Sequence, residues 1–550
     1  MVQYNHQKRG ADMAFRTNTG QQLSIDDSFE RLSPRVQKLI KNSWVHDFST
    51  IVFPAINEER FSVLYSDNKA SRPNTPVNVV VGALMLKEFS DLSDDELLYS
   101  IMCDVRYQYA LHTTSYTEQP FSDRTFSRFR ERLYEYERTT GTDLLKLEME
   151  HLADVYADKM NLRKNIKRMD SLMVASRCKA MSRLEIIYTC VANMVELLHR
   201  LGMDDCIDSE LKHYLDAEDH NKVIYYAKGD ECTDRLDQVI KDAAKLREQL
   251  AEDKWLNYTE YQLLIRVLDE QVVFDEDGNA TAKENSEISS DSLQNPSDPD
   301  ATYRSKAGKS HKGYVGNIVE TIGENGNSVI SSFQYEQNNY SDSEFMSDYL
   351  ESQPEHAEDD SETVIVDGAY ASYENSHKAE GKNINLVPTA LNGKDPDKIF
   401  AEFEFSEDET KVIKCPMGYV PTKQKQYNTG MIRVQFLKEQ CENCPHRDRC
   451  KGKPQRKTYA VHVSAKMVYR AKQLCRMSTD DYKTLSRKRN AVEGVMSVLR
   501  RKHRVDEIPV TGLIRSKMFF SFKVGAYNLG KLFRYCQSTR GSCAPIQALA

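Results

Sequence analysis

Three acidic residues stand in segments that would hold their side chains rigidly. Asp367 ends the β-branched run "TVIVDG", a pattern that predicts a short buried strand and a tight exit. Asp170 lies within the strand-like stretch "NIKRMDSLMVAS". Glu493 lies in a predicted helix whose core-facing residues would be Val492, Val495, Met496 and Leu499. Two ordinary explanations stay open: Asp367 as a cap or turn residue, and Glu493 as the ion-pair partner of Arg489.

The surroundings of these acids suggest one kind of chemistry. Residues 487–504 contain seven Arg and Lys but a single acid, Glu493. Carboxylates on rigid elements bind hard cations such as Mg²⁺ or Mn²⁺, and the surrounding cations can hold a phosphate backbone. In two-metal phosphoryl transfer, one ion activates the attacking oxygen and the other stabilises the leaving oxygen. The pattern therefore predicts metal-dependent chemistry on a nucleic acid.

A second set of chemistry-bearing residues is rich in cysteine. Its members are Cys415, Cys441, Cys444 and Cys450, in the pattern "CPMGY…CENCPHRDRC". Four thiolates at this spacing can close a tetrahedral structural Zn²⁺ site, and His446 could replace one of them. The alternative is unligated thiols. Cysteines elsewhere are expected in the core, including Cys103, Cys178, Cys190 and Cys475.

Composition limits the class of protein. The chain has 550 residues, enough for three or four units, and a net charge of −8 that argues against a uniformly basic nucleic-acid binder. The first twenty residues contain no apolar segment, and "VNVVVGALML" is about half the length of a membrane span. We therefore expect a cytoplasmic protein with no membrane partner. Twelve cysteines in such a chain indicate thiols or metal ligands rather than disulfides.

The elements that must position these residues change along the chain. Residues 1–160 are predicted to be helical, with a capping box at Ser93 and Glu96. The helix in "FSDRTFSRFRERLYEYE" would bury Phe126, Phe129 and Leu133. Its basic residues, among them Arg124, Arg128 and Arg132, fit the second helix of a helix-turn-helix, although an ordinary solvated face explains them as well. Alternating strands and helices follow residue 300, with "ENGN" as a hairpin turn.

Several separate blocks resemble the bacterial insertion-sequence DDE transposases, whose catalytic core has a ribonuclease-H-like fold. The blocks run in order from about residue 50 to 536 and are "NTPVNVVVGALMLKEFSDLSDDELLYSIMCDVRYQYAL", "FSDRTFSRFRERL", "RMDSLMVASRCKAMSRLEIIYTC", "DPDATYRSKAGKSHKGYVGNIVE", "VIVDGAYAS" and "RKRNAVEGVMSVLRRKHRVDEIPVTGLIRSKMFFSFKVGAYNLGKL". Certain relatives also carry a Cys-rich insertion. The resemblance implies that Asp367 is the middle acid of a catalytic triad.

The resemblance also implies roles for individual residues. Asp170 would bridge two Mg²⁺ or Mn²⁺ ions, with Asp367 completing one site and Glu493 the other. Further DNA contacts would be Arg489, Arg500 and Lys517. The family's Tyr, Arg, Glu, Lys signature is matched at Arg489 and Glu493, but Ser486 replaces the Tyr and Arg500 replaces the Lys. Arginine preserves the charge that binds phosphate, whereas the missing Tyr weakens the case for DNA contact at Ser486.

The expected fold is a mixed α+β or α/β multidomain chain. The expected divisions are 1–160, a helical DNA-binding domain; 161–176, the first part of the ribonuclease-H-like core; 177–272, a helical insertion; 273–303, an acidic linker too poor in apolar residues to pack; 304–394, core strands and helices; 395–460, a zinc-binding insertion; and 461–540, the C-terminal helices with Glu493.

The expected function is cleavage at transposon ends followed by strand transfer into target DNA. The resemblance implies double-stranded DNA as partner, a homodimer on DNA and a nucleoid-associated prokaryotic protein. A ribonuclease-H-fold nuclease and a catalytically silent, zinc-containing DNA-binding regulator remain the alternatives. Because strand transfer and hydrolysis use the same metals, the residues do not separate them.

Overall fold

The structure, a computed structural model, describes residues 13–18, 27–68, 70–116, 118–226, 230–306, 308–323, 325–357 and 361–540. Its helices are α1 (Pro34–Lys41), α2 (Trp44–Asp47), α3 (Val77–Ser90), α4 (Asp94–Cys103), α5 (Val105–Ala110), α6 (Thr125–Thr140), α7 (Leu144–Lys159), α8 (Arg183–Arg200), α9 (Asp219–Ile224), α10 (Asp230–Gln249), α11 (Thr259–Gln271), α12 (Asp342–Ser352), α13 (Tyr373–Glu380), α14 (Lys438–Glu442), α15 (Arg447–Cys450), α16 (Ala465–Met477), α17 (Asp480–Arg487), α18 (Val492–Arg501) and α19 (Leu513–Thr539).

The strands are β1 (Met13–Ala14), β2 (Arg72–Pro73), β3 (Ile166–Ala175), β4 (Val272–Phe274), β5 (Ala280–Ala282), β6 (Thr302–Lys306), β7 (Lys309–Ile322), β8 (Ser328–Gln337), β9 (Glu362–Val366), β10 (Ile384–Pro388), β11 (Glu404–Phe405), β12 (Val412–Lys414), β13 (Lys423–Gln426), β14 (Ile432–Leu437), β15 (Lys453–Pro454) and β16 (Thr458–Val463). The protein therefore mixes helix and sheet, as expected.

A six-stranded sheet forms the centre of the molecule. Its order is β10-β9-β3-β7, and both β6 and β8 pair with β7. Strands β9 and β10 run parallel to β3, whereas β7 runs antiparallel to it. The predicted hairpin connects β7 to β8: the Gly323 N–H donates to the Asn327 carbonyl at 2.8 Å, and Gly326 has a φ of 76°. Glu324 of that turn lies outside the described residues.

Helices cover both faces of the sheet and bury the apolar side chains on both sides of its central strand. On β3, Leu172 and Val174 join a large core that contains the N-terminal helices, α18 and α19. Met169 and Met173 face the opposite way, toward α12 and α13. Since side chains alternate along a strand, Asp170 lies on the same face as Leu172. Within the parts of the chain that the structure describes, no helix is both long and apolar enough to cross a membrane.

Two local predictions for the N-terminal helices are confirmed. Ser93 and Glu96 form the capping box that starts α4. On α6, Phe126, Phe129 and Leu133 are all buried. Their 3-4 spacing places them on one side of the helix, which leaves the basic residues toward its other sides.

Helices α8, α10 and α11 pack around an apolar core of their own between β3 and β6. The expectation that residues 273–303 cannot pack is wrong for the end of that segment. Leu293, Asn295 and Asp298 are buried, and Asp298 accepts hydrogen bonds from the Tyr314 hydroxyl at 2.5 Å and the Gly512 N–H at 2.9 Å. Hydrogen bonds to distant partners satisfy this polar segment, so it needs few apolar residues to be ordered.

Candidate active site

Adjacent parallel strands bring Asp170 and Asp367 together. In the ladder between β3 and β9, Arg168 is paired with Ile365. Continuing that register by two residues places Asp170 beside Asp367, which directly follows β9. The Arg489 guanidinium lies against both acids: its Nη2 is 3.0 Å from Asp170 Oδ2 and 3.8 Å from Asp367 Oδ2. One cation therefore spans a carboxylate within β3 and a carboxylate at the carboxyl end of β9.

The two aspartates have different environments. The Asp170 side chain is 19% exposed, whereas that of Asp367 is 50% exposed. Burial raises the pKa of the Asp170 carboxyl above its usual value, and the Arg489 guanidinium and the Ser171 N–H oppose that rise. Asp367 accepts a hydrogen bond from the Gly368 N–H at 2.6 Å.

The residue after Asp367 must be small. A Cβ at Gly368 would lie 2.5 Å from the Ala390 carbonyl oxygen, closer than atoms can approach without a shift of the backbone. The tight exit predicted after the strand thus results from contact with the segment that follows β10. It is a steric requirement that explains the glycine beside the acid.

A buried ion pair fixes the segment that carries Arg489. Arg168 on β3 donates through Nε to Glu320 Oε2 on β7 at 2.6 Å, and Glu320 is fully buried. The same guanidinium donates through Nη1 to the Lys488 carbonyl at 2.8 Å. Lys488 begins the 3-10 turn Lys488–Ala491, which leads into α18. The strand that bears Asp170 therefore also holds the turn that bears Arg489.

Glu493 lies in the first turn of α18. As predicted, Val492, Val495 and Leu499 are buried, and Met496 packs against the same core. The Glu493 side chain is exposed. The sequence left open an ion pair between Glu493 and Arg489, but Arg489 instead pairs with Asp170 and Asp367. No three His, Cys, Asp or Glu side chains of the described residues are placed to hold one metal ion. The structure thus brings two of the three predicted acids together.

Sequence reasoning missed a fourth acid near the site. Asp342 begins α12, and its Oδ1 accepts a hydrogen bond from the Ser171 hydroxyl at 2.8 Å. Its negative charge contributes to the raised pKa of Asp170. The only local signal is a capping box at Ser341 and Glu344, which marks the start of the helix but not a neighbour of Asp170.

The four predicted cysteine ligands line one small cavity together with His446, Phe403 and Tyr459. Burial, and then the neighbouring thiols, raise the pKa of Cys441 to about 11 and that of Cys450 to about 12. The four thiols converge from separate segments, but among the described residues they do not meet the geometry of a closed metal site. The expected core position is right for Cys190 but wrong for Cys103 and Cys475, which are exposed.

The basic residues predicted for α6 have different surroundings. Arg124 and Arg128 are exposed, and within the described chain neither is recorded in an ion pair. Arg130 forms an ion pair with Asp94, with Nη1 2.6 Å from Oδ2. Arg132 lies over the Tyr65 ring, 4.8 Å from its centroid. Arg124 and Arg128 are therefore the members of this set that face solvent.

The two C-terminal cations also differ. The Arg500 side chain is 44% exposed, and its Nη2 donates to the Met173 carbonyl at 2.9 Å, at the end of β3. Lys517 is only 19% exposed and forms an ion pair with Glu137 on α6. Nearby Asp143 and Glu137 raise the pKa of Lys517 against the effect of its burial. Lys517 thus joins α19 to α6, whereas Arg500 lies beside the strand of Asp170.

Two protein-family models match the chain. The model described as "Transposase DDE domain" matches residues 414–533, which include the four cysteines, Arg489 and Glu493. The model described as "Transposase domain (DUF772)" matches residues 29–132, which include the start of α6. No curated protein and no solved structure shows significant similarity to the chain. Both models describe transposase domains, and together they indicate an insertion-sequence DDE transposase.

Proposed function

We propose that the protein cleaves DNA at transposon ends and joins the freed 3′-hydroxyls to target DNA, with Asp170, Asp367 and Glu493 as its catalytic acids. The observation that carries this proposal is the pair of aspartates on adjacent strands, Asp170 within β3 and Asp367 directly after β9, with Arg489 against both. Two carboxylates held this closely repel each other, and a shared cation offsets that repulsion.

The strand order supports a ribonuclease-H-like core. The order β8-β7-β3-β9-β10 has β3 at its centre, antiparallel neighbours on one side and parallel neighbours on the other. In sheets with parallel strands, ligands bind at the carboxyl ends of the strands, where Asp367 lies. The division of the chain into the seven segments given above stays a prediction.

The side chains fit a hard divalent cation in part. Carboxylate oxygens are the preferred ligands of Mg²⁺, and Asp170 and Asp367 present two of them side by side. Our proposal adds Glu493 as the third. When bound there, two Mg²⁺ or Mn²⁺ ions would activate the attacking oxygen and stabilise the leaving oxygen.

The chain's own residues would bind and orient the DNA. Arg489 is within reach of both acids and can hold the phosphate that approaches them, and Arg500 lies by the end of β3. Arg124 and Arg128 would bind the transposon end, because they are exposed at the start of α6 and, within the described chain, form no ion pair, whereas the exposed Arg138 is paired with Glu135. Action on two ends at once implies a homodimer on DNA, and such a protein would work at the nucleoid.

The acids can be tested with DNA from the ends of the element that encodes the protein. Asp367→Asn and Glu493→Gln should abolish cleavage in Mg²⁺ or Mn²⁺ and leave end binding largely intact. Glu507→Gln is the matched control, since Glu507 is 69% exposed and forms only a long ion pair, 3.9 Å, with Arg504. Cleavage by either of the first two variants at the wild-type rate would refute the assignment.

A second assay separates transposition from plain hydrolysis. Pre-cleaved ends with a free 3′-hydroxyl are incubated with a supercoiled target plasmid, and joined products are counted. Joined products support a transposase, and cleavage without joining supports the nuclease. A protein that binds DNA but does neither is the silent regulator.

A further inference from the structure

A four-stranded sheet lies within the Cys-rich region, in the order β13-β14-β16-β15. Ile432 and Val434 on β14 and Val461 on β16 belong to a buried apolar cluster that also contacts Cys415, Cys441 and Cys450. Gln424 on β13 points to the same side, because its amide bonds the Val412 backbone. One face of this sheet is therefore covered by the rest of the region.

The opposite face carries positive charge. Since directly paired residues share a face, the ladder places Lys425, Arg433 and His462 in one row across three strands. A second row contains Lys423, Gln435, Ala460 and Lys453. We call these two rows the cationic face. It contains no acidic residue.

The cations of this face are open to solvent. Lys423, Lys425, Lys453 and His462 are exposed, and Arg433 is half-buried. Within the described ranges, no ion pair is recorded for the three lysines or Arg433, although other cations of the region, such as Lys414 and Arg470, are paired with acids. Lys425 lies 5.8 Å from the centroid of the Tyr427 ring. The charges that neutralise the cationic face must therefore come from ions in solvent or from a binding partner.

Like charges directly opposite each other destabilise a sheet. Lys425 is paired with Arg433, and the row continues to His462. The repulsion between these cations lowers the stability of the sheet, and no acid in the rows offsets it. A polyanion laid across the strands would remove the cost. Strands lie about 4.8 Å apart and alternate residues about 6.8 Å apart, so the cations form a flat grid rather than a pocket for one small anion.

We propose that the cationic face binds the phosphate backbone of duplex DNA during the reaction. This inference rests on the proposed function only in that the protein acts on DNA. The face offers three lysines and one arginine, and the amide of its Gln435 is already hydrogen-bonded to Gln455, so its contacts would be mainly to phosphates and independent of sequence. Such contacts suit flanking or target DNA, which varies from one insertion site to the next.

The test measures binding of the full-length protein to a duplex of arbitrary sequence over a range of salt concentrations. The triple variant Lys423→Gln, Lys425→Gln, Arg433→Gln should make the negative slope of log K against log salt shallower by about 3, roughly 0.9 per lost phosphate contact. At about 0.15 M salt the affinity should fall on the order of 10²-fold. The thermal unfolding temperature should be unchanged or slightly higher, because like charges have been removed.

A matched control removes three exposed lysines from the helical region between β3 and β6: Lys212→Gln, Lys222→Gln and Lys241→Gln. It should leave the slope unchanged. The charge-preserving variant Lys423→Arg, Lys425→Arg should also bind like the wild type, which shows that a loss in the Gln variant comes from charge and not from misfolding.

The possible outcomes separate this inference from the proposed function. If the wild type binds duplex DNA and the triple Gln variant keeps its slope, the cationic face is not a DNA surface. A slope that changes with duplex RNA but not with DNA would also overturn the inference. If the wild type binds no DNA at all, the proposed function itself fails.

Discussion

Loss of Arg168 should destabilise the six-stranded sheet severely. Glu320 is fully buried and Arg168 is 7% exposed, so Arg168→Met leaves a charge in the interior without its main partner. Removing one member of a buried ion pair costs about 3–5 kcal/mol. Lys531, with its Nζ 4.0 Å from Glu320 Oε1, would still offset part of the stranded charge, which favours the lower half of that range.

The measurement is thermal unfolding of the full chain. For a cooperative unit of about 150–250 residues, 1 kcal/mol shifts Tm by roughly 2–4 °C, so Arg168→Met should lower the Tm of the core on the order of 10 °C. The double variant Arg168→Met, Glu320→Gln removes the stranded charge and should recover most of this loss. A Tm within about 1 °C of the wild type in the single variant would refute the reasoning.

The double variant also tests the tether to Lys488. It restores charge balance but not the hydrogen bond to the Lys488 carbonyl, which holds the turn of Arg489 on β3. We therefore expect a stable protein that cleaves DNA at least tenfold more slowly and needs more Mg²⁺ for half-maximal rate. Lys531→Met is the control, because the Lys531 side chain lies near Glu320 but is not bonded to the turn Lys488–Ala491. Wild-type cleavage by the double variant would show that the tether is unnecessary.

Three further predictions concern the other regions. The Cys-rich pattern predicts about one Zn²⁺ per chain by elemental analysis, with both metal and stability lost in Cys444→Ser, whereas the geometry of the thiols predicts none; a zinc-free wild type purified without chelators would decide against the site. Arg128→Glu should weaken binding to transposon-end DNA, whereas Arg138→Glu on the same helix, 54% exposed and paired with Glu135, should not; equal binding by both would move recognition elsewhere. Burial, helped by Lys502 and Lys523, lowers the pKa of His503 from 6.5 to about 4. Its contribution of about 3 kcal/mol is complete above pH 6.5 and is lost as pH falls toward 4, so His503→Asn should flatten the pH dependence of unfolding in that window.

The sequence predicts features that depend on neighbours along the chain. A β-branched run before Asp367 predicts β9 because the residues of that strand are themselves apolar and favour a buried strand. The capping box at Ser93 and the buried side of α6 are local in the same sense. For such elements the determinants lie within about four residues of each other, and single-sequence reasoning reaches them.

Features that depend on distant partners were not predictable in this way. Asp298 lies in a polar segment, and nothing nearby shows that Tyr314 and Gly512 will bond it in the interior. The same holds for Arg489, whose partner Asp170 is 319 residues earlier, and for Asp342 beside Ser171. Each contact is set by the tertiary fold, which brings together segments that lie far apart in the chain.

The long helix α19 has a consequence for how the protein is made. It packs against α3, α7 and β8; Asn528 bonds both backbone groups of Ile330, and Lys523 pairs with Glu88 on α3. At roughly 5–20 residues per second, a ribosome finishes β3 tens of seconds before it reaches this helix. During that interval the nascent chain exposes the apolar surfaces that α19 will cover. A premature stop before codon 513 should therefore prevent DNA cutting as completely as loss of a catalytic acid, and should leave an aggregation-prone fragment.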